Sequence, residues 1–70
     1  MLLAVALVEM FFALASGESY SISSTQDFCN EMKLAQETYA EEGKTFTVVL
    51  ADENKILKDV TNIFCIPASE

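Results

Sequence analysis

The chain opens with Met1–Ala15, MLLAVALVEMFFALA, apolar at every position except Glu9. A helix of this length rises about 22 Å, short of the roughly 30 Å hydrocarbon core that a spanning helix must cross. The run therefore suits the apolar region of a secretory leader better than a permanent anchor. Small residues follow where a peptidase cleft wants them. Ala13-Leu14-Ala15 matches the A-x-A pattern for a cut after Ala15, and Ala15-Ser16-Gly17 offers a second register that leaves Glu18 as the new N-terminus. No Lys or Arg precedes the run, so the α-amino group alone supplies positive charge. The expected organisation is a leader over residues 1–17, an apolar helix if retained, followed by a small mature domain over 18–70.

Composition narrows the chemistry. The 70 residues carry 11 acids against 4 bases, a net charge of −7, and neither histidine nor arginine. A basic groove for nucleic acid is excluded on charge. Without histidine the commonest general base and the commonest metal-ligating nitrogen are missing. The serines at 19, 21, 23 and 24 have no histidine to activate them, and no S-x-x-K, G-x-G-x-x-G or P-loop occurs. Glu41-Glu42 and Asp52-Glu53 are adjacent carboxylates, which diverge by about 100° on a helix and do not converge on one substrate atom. The spacing of a calcium loop around Asp52-Glu53-Asn54 is absent. No catalytic residue, metal ligand or cofactor is assigned, and the chain is not expected to be an enzyme.

Cys29 and Cys65 are the only cysteines. In an oxidising compartment two cysteines in a short chain read as one intramolecular disulfide, and closing a loop of this size stabilises a fold by roughly 3–4 kcal/mol. An intermolecular bridge that makes a covalent dimer is the alternative.

Downstream, Ser19–Ser23 alternates polar and apolar, which fits a short strand or, equally, a serine-rich disordered new N-terminus. Ser24 or Thr25 stands where a helix N-cap is wanted, with Asp27 in the first turn. The spacing of Phe28, Met32, Ala35 and Tyr39 predicts a helix over 25–42, with Cys29 beside the stripe, a Lys33–Glu37 pair on the opposite face and Gly43 as the left-handed residue that ends it. Thr45–Ala51 is dense in β-branched and aromatic residues and predicts a strand. Ile56, Leu57, Val60, Ile63 and Phe64 fall on one helical face and predict a second helix, ended by Ile66-Pro67. The fold class that follows is a small α+β domain of order β-α-β-α, with strands 19–23 and 45–51 paired in parallel through the helix and one disulfide closing it. A helix plus a β-hairpin, with 56 onward pairing back on 45–51, is the alternative.

Gly43-Lys44-Thr45-Phe46-Thr47-Val48-Val49-Leu50-Ala51 resembles the first strand of lipocalins, where a G-x-W motif precedes a similar apolar run. Thr45 stands in place of the tryptophan, and the chain is too short to close an eight-stranded barrel. No site residue is carried over. The resemblance implies a carrier of small apolar ligands as an alternative function, as a fragment or as a dimer enclosing a cavity.

These features together predict a small acidic secreted protein that acts by binding: an extracellular effector, a toxin-like or signalling peptide, or a subunit of a larger assembly. The expected partner is a basic protein or receptor, met through an apolar contact face of Phe28, Met32, Tyr39, Ile56, Val60 and Phe64. Membrane contact is expected only transiently through the leader. A homodimer, disulfide-linked or not, and a membrane-associated microprotein that keeps residues 1–15 are the remaining alternatives.

Overall fold

The computed structural model of the chain describes residues 7–68. Leu7–Leu14 forms strand β1, Ser19–Thr25 forms β2, Gln26–Glu41 the helix α1, Val48–Leu50 β3, Lys55–Leu57 β4 and Val60–Pro67 β5, with a 3₁₀ turn over Ala51–Glu53. Strands β2, β1 and β5 make one antiparallel sheet in that order, and β3 and β4 a separate antiparallel hairpin. Among the described residues this is an α+β fold with one α-helix, and the β-α-β-α order with its parallel pairing is not found.

The first correction concerns the opening run. Where it is described it is a strand and not a helix, and it is the central one, paired with β2 on one side and β5 on the other. Residues 1–6 of the expected leader lie outside the described residues. Burial along β1 has a period of two: Val8, Met10 and Phe12 are buried, whereas Leu7, Glu9 and Phe11 point to the opposite face. An apolar run conceals that period because both faces read alike. Glu9 marks it, standing half-buried on the face without a helix, where its Oε1 accepts a hydrogen bond from Ser23 Oγ at 3.3 Å. Ala15-Ser16-Gly17 forms the tight turn into β2, with Leu14 N–H donating to the Glu18 carbonyl at 2.9 Å, Gly17 N–H to the Leu14 carbonyl at 2.9 Å, and Gly17 at φ 94°. Glycine adopts that left-handed angle without a Cβ penalty.

Helix α1 follows its sequence signals closely. Thr25 is the N-cap, its Oγ1 accepting from Phe28 N–H at 3.2 Å, and Asp27 places negative charge in the first turn. At the other end Gly43 takes φ 72°, its N–H donating to the Ala40 carbonyl at 3.1 Å while Lys44 N–H donates to that of Tyr39 at 2.9 Å. Two orphan carbonyls are satisfied by this Schellman arrangement. The expected Lys33–Glu37 pair does not form: among the described residues the one ion pair is Lys44–Glu42, at 3.1 Å.

The second correction is the missing second helix. Residues 55–57 and 60–67 are strands: β4 pairs back on β3, with Val48 opposite Leu57 and Leu50 opposite Lys55, as in the hairpin alternative, whereas β5 pairs with β1 and not with 45–51. A bulge explains the misleading period. Ala13 pairs with Asn62 but Leu14 with Val60, leaving Thr61 as an extra residue in β5. One extra residue reverses the inward and outward phase of a strand, so Val60 and Ile63 both face the core although they are three apart. Spacings of three beside ordinary alternation imitate a helix. The bulge is held by side chains: Thr61 Oγ1 donates to the Ala13 carbonyl at 3.2 Å, and Gln36, buried in α1, donates from Nε2 to the Thr61 carbonyl at 3.1 Å.

The core lies on one face of the sheet. Val8, Met10, Phe12, Val60 and Ile63 from the sheet, Cys29 from α1, and Val48 and Leu57 from the hairpin form one buried cluster. The Cys29–Cys65 disulfide joins α1 to β5 across a sequence separation of 36. The lipocalin resemblance ends here: β3 has three residues and belongs to a two-stranded hairpin.

Candidate functional site

The expected contact residues do not gather on one face. Helix α1 turns Cys29, Met32 and Gln36 toward the core instead of the stripe led by Phe28 and Tyr39, which are left 46% and 43% exposed. The disulfide at Cys29 and the hydrogen bond from Gln36 to the bulge set this rotation, about one residue round from the expected one. Tyr39 packs edge-on against Phe46, with ring centroids 5.1 Å apart. Val60 is buried and Met32 partly buried in the core. Ile56 is exposed on the hairpin. Phe64 alone of the six sits on a broad open surface.

That surface is the face of the sheet that α1 and the hairpin do not cover. Alternation brings Leu7, Glu9 and Phe11 of β1 beside Phe64 and Ile66 of β5, with Phe11 directly opposite Phe64 and Glu9 opposite Ile66. Leu7, Phe64 and Ile66 are 56%, 44% and 50% exposed. The third strand continues the face with hydroxyls, because Ser19, Ser21 and Ser23 of β2 lie opposite Ala13, Phe11 and Glu9. Half of the face is therefore apolar and half hydroxylic, with one carboxylate at the seam. Sequence reasoning missed Leu7, Phe11 and Ile66 because this face is defined only once β1 is a strand.

A second feature runs along the outer edge of β2. A groove of about 680 Å³ separates Ser21–Ser23 and Phe28 from Val49–Glu53. Tyr20 ties its two walls together: its hydroxyl donates to Glu53 Oε1 at 3.1 Å, and Lys55 Nζ lies 5.3 Å from the centre of its ring. The Tyr20 phenol is raised above the ordinary tyrosine value, first by loss of solvent and then by the hydrogen bond to Glu53 and the charge on it. Among the described residues no three Cys, Asp or Glu side chains converge as metal ligands. The other carboxylate pair, Glu41 and Glu42, stands exposed at the end of α1.

Compared with protein-family models, with curated proteins and with solved structures, the chain matches none.

Proposed function

We propose that the chain is a small acidic protein of an oxidising compartment that works by binding another protein through the uncovered face of its sheet. The observation that carries this reading is the exposure of Leu7, Phe64 and Ile66 side by side. Monomeric proteins seldom leave a contiguous apolar patch on a sheet without a use for it. The net charge of −7 favours a basic partner. An oxidising environment is indicated by the disulfide, since such bonds persist where thiols are not kept reduced. Among the described residues no helix is long and apolar enough to cross a membrane. Secretion, the finer form of this reading, rests on residues 1–17 serving as a leader.

The two readings of residues 1–17 compete for the same atoms. A cut after Ala15 or Gly17 removes the strand that both β2 and β5 pair with, together with Val8, Met10 and Phe12 of the core. The proposal therefore keeps Leu7–Gly17 in the working protein as strand and turn. Mass spectrometry of the natural product tests both parts. A mass that includes Leu7–Gly17 and lacks two hydrogens for the bridge is expected, and a product that begins at Ser16 or Glu18 overturns the retained strand. Native spectra should then show a complex with a second protein that Phe64→Ser together with Ile66→Ser dissociates. A monomer carrying only lipid would replace the binding reading with that of a carrier.

A further inference from the structure

We propose that the groove beside β2 takes an extended segment of a basic protein, which joins the sheet as a fourth strand. This goes beyond the binding reading above, because it assigns a second surface, the edge of β2, distinct from the open face that carries Leu7, Phe64 and Ile66. The backbone supplies the first argument. Leu14 N–H bonds the Glu18 carbonyl, so antiparallel alternation turns the backbone groups of Tyr20, Ile22 and Ser24 toward β1 and those of Ser19, Ser21 and Ser23 outward. Among the described residues no protein group pairs with the outward N–H and carbonyl groups of these three serines. An unpaired edge of this kind is a template for another strand. It also lacks the devices that protect edges: β2 contains no proline, no lysine and no bulge.

The walls of the groove supply the second argument, because they specify what the added strand would carry. Towards the helix side lie Ile22, Phe28 and Val49, the last two 46% and 66% exposed. Towards the open side stands Glu9, and Asp52 and Glu53 close the far wall. None of these three carboxylates has a lysine within ion-pair distance among the described residues. A strand laid along β2 sends alternate side chains to the two sides. Apolar residues would meet Ile22, Phe28 and Val49, and lysines or arginines between them would meet Glu9. Backbone pairing supplies affinity in such complexes and the alternate pockets supply specificity.

The full chain, with its disulfide intact and isotopically labelled, should be titrated with a capped alternating valine–lysine peptide of about eight residues, the ordinary length of a strand plus its flanks. Expected are resonance shifts over Ser19–Thr25 and Val49–Glu53, with new hydrogen-exchange protection at the Ser21 and Ser23 amides. A valine–glutamate peptide should bind at least about tenfold more weakly. Ser21→Pro is the decisive variant. Its N–H points away from β1, so proline removes no existing ladder bond and the variant should keep its circular dichroism while losing the peptide by about tenfold or more. Undiminished binding by a folded Ser21→Pro protein, equal affinity for both peptides, or no binding at all would overturn the proposal. Shifts confined to Leu7, Phe64 and Ile66 would also overturn it, while leaving the broader reading of a binding protein standing.

Discussion

The two faces of β1 are made from nearly the same residue types and have opposite fates. Val8, Met10 and Phe12 are at most 1% exposed, whereas Leu7, the residue next to Val8, is 56% exposed. Hydrophobicity alone cannot explain the difference. What distinguishes the faces is that α1 is bound to β5 by the disulfide and by Gln36, and that the hairpin contributes Val48 and Leu57 on the same side. Cross-links, together with Glu9 and the β2 serines that mark the open face, decide which face becomes core and which becomes surface.

Paired truncations break the comparison most strongly. Phe12→Ala should cost about 3–5 kcal/mol in urea unfolding, since it empties a fully buried site, while Phe64→Ala on the other face should cost under about 1 kcal/mol. Equal losses would mean that the second face is covered too. Replacing Cys29 and Cys65 together by serine should lower stability by about 3–4 kcal/mol, seen as a lower urea midpoint, because the closed loop no longer restricts the unfolded chain. Gln36→Ala leaves the bulge carbonyl of Thr61 without its donor and should cost about 1–3 kcal/mol, with faster hydrogen exchange around Thr61 as the local sign.

The smallest effect sharpens the link between sheet and hairpin. Tyr20 is the group with a raised value, so its neutral form is favoured by folding. The associated stability is fully present below the ordinary tyrosine pKa and is lost as pH rises through the folded value. In a Tyr39→Phe background, phenolate absorbance should report Tyr20 ionising above the ordinary tyrosine range, and Glu53→Gln should move that midpoint down. An unmoved midpoint would separate the titration from the Glu53 contact.

Legibility varied along the chain for reasons that can be named. The helix was readable from Thr25, Asp27 and Gly43 because caps are local: each satisfies its own helix end within a few residues. The Cys29–Cys65 bridge was readable because two cysteines admit a single internal pairing. The strand identity of Leu7–Leu14 was not readable, since alternation is invisible when both faces are apolar. The strand after Val60 was disguised by the Thr61 bulge, which exists only against Ala13 and Leu14 of another strand. The groove was equally hidden, being assembled from β2, α1 and the hairpin.

By itself, then, the amino-acid order determined the helix and its ends, the disulfide partners, the acidity and the lack of a histidine base. Tertiary structure alone decided that the opening run is the central strand, which side of it is core, and where an edge is left unpaired. Caps and charge are properties of neighbours in sequence, whereas the pairing of β1 with β5 and the burial of its face depend on partners dozens of residues away.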